Sequence, residues 1–313
     1  MRALACTALV AALLAGCALD VGDAEPGAEE LVVVPPPDLP SCPPHMELAS
    51  GSCTPTPSWV GGLALWLRAD RGVETTRDRR TITRWRDQSS AHRDAIAAAP
   101  GTGPIAITPG LLSPRPAVRF TPTTAWSEET ADHGMLALEL ATLLASPAGF
   151  TMFVVARTED RPGAVLGVDH GHAASCWNGA VPGLALGWRV RAEVTLDGSC
   201  VSTTAPIEID AGPHVLGASV ETITLPMGGA TDLVAIWADD QPVGGTFTPG
   251  VRVLSSLSSE ARIGRGGIGT RDSRLHGDVY EIVMFDRALS GVRSDPASEV
   301  GIVTQWLESH WGL

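Results

Sequence analysis

The chain has 313 residues, 44% of them hydrophobic and 18% charged, with a formal net charge of −13 and arginine as its only strongly basic residue. That balance describes a globular protein with a sizeable core, long enough for one large domain of sandwich type or two small ones, and excludes a disordered chain. The acidic excess argues against nucleic acid as a partner and against docking of the folded part on anionic lipid, because both would repel it.

Residues 1–16 have the layout of a secretory signal. Arg2 supplies the positive start, residues 3–15 form an apolar run too short to span a bilayer, and Ala15 and Gly16 are small. The stretch Leu14-Ala15-Gly16-Cys17 resembles the lipobox of bacterial lipoproteins. That resemblance implies cleavage before Cys17, acylation of its thiol and a lipid-anchored place in the cell envelope. Ala18-Leu19 lacks the aspartate directly after the cysteine that is associated with inner-membrane retention, which points to the outer membrane. No later apolar run approaches the roughly 18 residues of a spanning helix, so the lipid is expected to be the only membrane anchor.

Residues 17–58 read as a disordered, proline-rich tether. Pro35-Pro36-Pro37, Pro40, Pro43-Pro44, Pro55 and Pro57 stand among acidic and small residues and favour extended polyproline II. Cys6 leaves with the signal and Cys17 takes the lipid. Cys42, Cys53, Cys176 and Cys200 remain, an even number in an exported protein, and read as disulfides. Of the three connectivities, local pairing is favoured: Cys42 with Cys53, closing a small loop in the tether, and Cys176 with Cys200. No C-x-x-C spacing or adjacent histidine pair supports a metal there.

From Trp59 onward, short apolar runs alternate with turn residues. Strands are predicted at 63–69, 81–86, 117–121, 150–157, 164–168, 184–196, 201–209, 214–220, 233–238, 261–264 and 278–285. Turn signals separate them at Asp197-Gly198, Gly228-Gly229 and Asp239-Asp240-Gln241-Pro242. The last strand, with Val279, Tyr280, Ile282, Met284 and Phe285, reads as covered on both faces. A helix closes the chain. Asp295 is its expected cap, Pro296 its first residue, and Val300, Val303, Trp306, Leu307, His310 and Trp311 its buried face. With little other helix and no internal repeat, residues 59–313 are expected to form a single all-β sandwich domain.

Three places carry a more specific resemblance. The opening is Gly62-Leu63-Ala64-Leu65-Trp66-Leu67-Arg68-Ala69-Asp70, then Trp85-Arg86-Asp87-Gln88-Ser89 and Asp94-Ala95. The middle is Pro116-Ala117-Val118-Arg119-Phe120 leading to Phe150-Thr151-Met152-Phe153-Val154-Val155-Ala156-Arg157. The close is Gly277-Asp278-Val279-Tyr280-Glu281-Ile282, Phe285-Asp286-Arg287-Ala288-Leu289-Ser290 and the helix ending Trp311-Gly312-Leu313. Together they resemble the concanavalin A-like, laminin G-like jelly-roll family of bacterial surface proteins. The resemblance implies a jelly-roll sandwich with a binding or adhesion role. Trp66 and Trp85 are expected in the core. Asp87 and Ser89 should bond nearby backbone amides, and Asp286 should pair with Arg287.

Catalytic chemistry is not expected. Laminarinase-type glucanases of the same superfamily carry E-x-D-x-x-E on one strand, whose alternation sets nucleophile and acid on one face. Glu208 and Asp210 match the first two positions, but Pro213 replaces the third, so the proton donor is missing. Asp169, His170 and His172 could grip a metal, or belong to an exposed insertion pinned by Cys176–Cys200. Gly264-Arg265-Gly266-Gly267-Ile268-Gly269 reads as a turn, because no helix follows to cradle a phosphate. For sugar binding, which needs exposed aromatic faces beside hydroxyl-bonding groups, the candidates are Trp126, Trp177, Asn178 and Trp188 with Asp169 or Asp132. Calcium is frequent in laminin G-like relatives, but no converging set of oxygen ligands is identified, so no cofactor is assigned. The expected partner is a polysaccharide or a surface protein. A structural envelope module and a diverged hydrolase are the alternatives.

Overall fold

The alternating apolar runs fold into two antiparallel sheets that share one hydrophobic core. The computed structural model describes residues 42–49, 52–78, 80–99, 101–109, 115–120, 134–137, 139–140, 143, 149–158, 163–169, 183–190, 193–198, 201–206, 212–226, 228, 230–239, 241–247, 261–264 and 275–313. Among the described residues a hairpin, β1 (Met46–Ala49) and β2 (Ser52–Pro55), precedes the sandwich.

The first sheet contains β3 (Leu63–Arg68), β7 (Ile105–Ile107), β8 (Ala117–Phe120), β10 (Phe150–Thr158), β15 (His214–Thr224), β16 (Ala230–Ala238), β17 (Gln241–Phe247) and β19 (Gly277–Phe285). Its order is β17-β16-β15-β10-β19-β8-β7, and β3 pairs with the second half of β19 beyond β8. The second sheet contains β4 (Val73–Thr75), β5 (Ile82–Trp85), β6 (Ala95–Ala97), β9 (Met135–Leu136), β11 (Gly163–Asp169), β12 (Gly183–Val190), β13 (Glu193–Gly198), β14 (Val201–Pro206) and β18 (Ala261–Ile263). Its order is β14-β13-β12-β11-β18-β9-β6-β5-β4. This is the two-sheet jelly-roll sandwich with a C-terminal helix that the sequence predicts.

Every residue of β19 is buried, including the carboxylates of Asp278 and Glu281 among its apolar residues. One face lies in the core, and α1 (Glu299–Trp311) covers the other. In β19, Val279 pairs with Ala156 and Glu281 with Val155, so Tyr280 is the extra residue of a bulge. The bulge turns both Tyr280 and Glu281 toward α1, where each meets Trp311. The helix buries Val300, Val303, Trp306, Leu307 and Trp311, the expected face.

Its start differs from expectation. Ser298 is the N-cap, accepting the Gly301 N–H at 3.1 Å, because the Asp295 carboxylate is already engaged by the Ala297 N–H at 3.0 Å in the preceding turn. Gly312 ends the helix in the left-handed conformation with φ of 60°.

Three further expectations are revised by packing. The stretch 184–196 is not one strand but the paired strands β12 and β13. The expected Cys42–Cys53 disulfide is present, but Met46–Ala49 pairs with Ser52–Pro55 as a hairpin instead of running as extended polyproline II. The reason lies in Glu47, whose carboxylate completes the ion pairs of the buried Arg68 at 2.8 Å. Arg287 pairs with Glu299 at 2.5 Å rather than with Asp286, because α1 brings that carboxylate alongside it. Cys17, Cys176 and Cys200 lie outside the described residues, as do all residues of the signal.

Candidate functional site

The sugar-binding residues chosen from sequence are not gathered into one site among the described residues. Asp169 ends β11 opposite Gly183, whereas Trp188 of β12 stands opposite Gly163 at the other end of that ladder. Six residues of strand, about 20 Å, separate those ends. Trp126, Asp132, His170, His172, Trp177, Asn178, Glu208 and Asp210 lie outside the described residues. Trp66 and Trp85 are core residues, 5% and 0% exposed. Asp87 accepts the backbone N–H groups of Trp66 at 2.7 Å, Ser89 at 2.8 Å and Arg93 at 2.8 Å, so its carboxylate organises the loop after β5.

On the α1 side of the first sheet, four arrangements are built from residues far apart in the chain. The deepest surrounds Glu281. The indole N–H groups of Trp66 and Trp306 donate to its Oε1 at 2.5 and 3.1 Å, and that of Trp311 to its Oε2 at 2.5 Å. Burial pushes the Glu281 carboxyl above its ordinary range, against the pull of those indoles and of the Arg68 charge. With no exposed surface, this carboxylate meets no ligand. It joins β3, β19 and α1.

Beside it, the Arg68 guanidinium lies 5.2 Å from the Trp66 ring centre and 5.4 Å from that of Trp306, bonded to Glu47 and Asp70. Burial alone would raise the Asp70 carboxyl, but hydrogen bonds from His310 and Arg68 outweigh it and hold it well below the usual range. The third arrangement is a row across three strands. Arg119 of β8 and Arg157 of β10 both stand opposite Asp278 of β19, and both guanidiniums bond its carboxylate, at 2.7 and 2.6 Å.

The fourth is aromatic. Along β16, Val234, Ile236 and Ala238 are buried while Leu233, Ala235 and Trp237 are only half-buried, so the latter face outward. Trp237 stands opposite Gly217, which stands opposite Phe153. The missing side chain lets the two rings meet over the glycine, with centres 5.9 Å apart and planes inclined by 14°. Ser219 and Ala235, small and half-buried, pair beside the indole. Trp237 is thus a half-buried ring stacked on Phe153 on the side of the sheet opposite Val234, Ile236 and Ala238.

No family model and no curated protein matches the chain. Solved structures do. A Trypanosoma rangeli sialidase in complex with 2,3-difluorosialic acid matches with a TM-score of 0.50 and 14% identity over 83% of this chain, which spans 36% of the sialidase chain. The CBM40 of the Ruminococcus gnavus IT-sialidase, bound to α2,3-sialyllactose, matches with a TM-score of 0.39 and 12% identity over 56% of this chain and 91% of that one. The leech intramolecular trans-sialidase matches with a TM-score of 0.39 and 9% identity over 56% of this chain and 26% of that one. The likeness to the Trypanosoma rangeli sialidase is one of fold.

Sequence reasoning passed over Trp237, Arg119, Arg157 and Glu281 as functional or organising residues. For Trp237 the signal was present, since it alternates with Val234, Ile236 and Ala238 and so faces away from them. For the charged residues there was none, because their partners come from distant strands. Among the described residues, no group of three or more His, Cys, Asp or Glu is placed to hold a metal ion. Among them also, no helix is long and apolar enough to cross a membrane.

Proposed function

We propose that this protein is a non-catalytic glycan-binding module, held at the outer membrane of the cell envelope by lipid on Cys17. The observation that carries the reading is the half-buried Trp237, braced by Phe153 over Gly217 with Ser219 alongside. A sugar ring presents an apolar C–H face that packs on such an indole, while its hydroxyls bond small polar neighbours.

The non-catalytic reading rests on Pro213 standing where the third carboxylate of E-x-D-x-x-E would be, and neither carboxylate of β19 is placed to replace it. Asp278 is bonded to two arginines, and Glu281 accepts three indoles with no exposed surface. A retaining or inverting glycosidase needs two carboxyls that reach the substrate. The export and lipid reading rests on Arg2, the apolar run and Leu14-Ala15-Gly16-Cys17.

The test is saturable binding of the full chain on a glycan array carrying neutral and acidic sugars. Hits that fall at least tenfold with Trp237→Ala, at unchanged melting temperature, are expected. An array without hits at high protein concentration overturns the glycan reading, and release of reducing sugar from a bound glycan overturns the non-catalytic one.

A further inference from the structure

We infer that the β1–β2 hairpin, the turn Pro57–Trp59 and the outward side of α1 form a membrane-docking face that lays the domain on a zwitterionic lipid surface; this inference rests on the lipid anchor at Cys17 proposed above. Among the described residues, the large hydrophobic side chains left exposed are Leu48, Trp59, Val292 and Leu313, at 45%, 53%, 58% and 46%. All four border α1. Strand β2 and the turn Pro57–Trp59 pack against the helix. The Arg287 guanidinium bonds both the Gly61 carbonyl and Glu299, which sets the chain just after Trp59 at the start of α1. The Val292 carbonyl accepts the hydroxyl of Ser298, the N-cap. At the other end, Glu47 beside Leu48 reaches Arg68, which meets His310, and the Leu313 N–H donates to the Glu308 carbonyl.

Charge supports the assignment. Residues 42–62 hold a single acid or arginine, Glu47, and its carboxylate is turned inward to Arg68. Alternation along β1 then turns Leu48 away from Arg68, toward solvent. Ile302, Gln305 and Ser309, accessible and uncharged, fall on one stripe of α1. At the rim, Arg287 is paired with Glu299 and Arg293 with Glu308. In a chain of net charge −13, this side brings few charges that lipid would have to strip of water.

The occupant follows from where the chain enters. The described residues begin at Cys42, which the disulfide ties to Cys53 of the hairpin, so the path from Cys17 reaches the domain on this face. A lipid on Cys17 keeps the face at high local concentration beside the bilayer, and a tryptophan among aliphatic side chains settles at the headgroup level.

The experiment measures quenching of tryptophan emission by phosphatidylcholine brominated near the headgroup, with the acylated protein in vesicles. Partial quenching that Trp59→Phe removes, at unchanged melting temperature, is expected. Leu48→Asp should lower the ratio of docked to undocked protein roughly tenfold. Added phosphatidylglycerol should weaken docking, and salt should restore it, because the chain is acidic. That arm uses unaltered protein, so it decides the matter even where a variant fails to fold. Docking that strengthens with phosphatidylglycerol, or quenching that survives in Trp59→Phe, overturns the assignment. Acylation of Cys17 without quenching overturns the docking face and leaves the anchor intact, whereas an unacylated protein overturns both. Dimers that Leu48→Asp splits, without quenching, give the face to a second copy of this chain and overturn the membrane as its occupant.

Discussion

Glu281→Gln tests whether the carboxylate enclosed by three tryptophans holds the fold together. The amide keeps one oxygen, which can still accept from Trp66 and Trp306, but sets its own N–H groups against the Trp311 N–H, now 2.5 Å from an acceptor. The Trp311 N–H and the amide NH2 group are then buried without partners, each group costing about 1–3 kcal/mol. Removing the charge returns part of this, because burial already disfavours the ionised form of Glu281. The net cost is about 2–4 kcal/mol, a substantial part of the roughly 5–15 kcal/mol that holds an ordinary domain. For a unit of this size that lowers the melting temperature by about 5–10 °C. Thermal melts followed by near-UV circular dichroism at neutral pH read it directly, since three of the reporting tryptophans are those involved. In the Glu281→Gln background, Trp311→Phe should cost less than in wild type, because the bond it removes is already lost. A variant that melts at or above the wild-type temperature would show that burying the carboxylate costs more than its three bonds return, and the stabilising role would be refuted.

The other predictions concern the acid limb, the aromatic platform and the anchor. The Arg287 guanidinium and the Ser290 N–H and hydroxyl hold the Glu299 carboxyl at about 2, below its ordinary 4.5. Its contribution to stability is therefore present above pH 4.5 and is lost as pH falls through about 2, so Glu299→Gln should flatten the stability–pH curve in that window; an unchanged acid limb argues against the pair. In Gly217→Ala the new methyl would lie 2.6 Å from Trp237 Cε3 and 3.3 Å from Phe153 Cδ1, so the rings must part. Glycan binding should drop as in Trp237→Ala; full binding by the alanine variant would show that the brace is irrelevant. An alkyne fatty acid should label the wild type and not Cys17→Ser, and equal labelling of both sinks the lipid anchor.

Periodicity along the chain was enough to predict the all-β sandwich, the doubly covered 278–285 strand and the apolar face of the closing helix. Those properties are local: side-chain alternation of two in a strand, and near four in a helix, is written into neighbouring residues. Strands such as Met135–Leu136, Ala95–Ala97 and Val73–Thr75 were invisible for the same reason, since two or three residues carry no alternation and exist as strands through their partners. The cap at Ser298 was missed because Asp295, equally suited by type, is used by its own turn.

What the sequence could determine alone was the class of fold. The chemistry of the surface was decided only by tertiary structure. Trp66 stands 215 positions from the carboxylate it caps, Arg119 stands 159 positions from Asp278, and Phe153 meets Trp237 across a glycine on an intervening strand. A buried charge or a half-exposed ring takes its meaning from what neighbours it, and in an antiparallel sandwich those neighbours come from strands that no local pattern can pair.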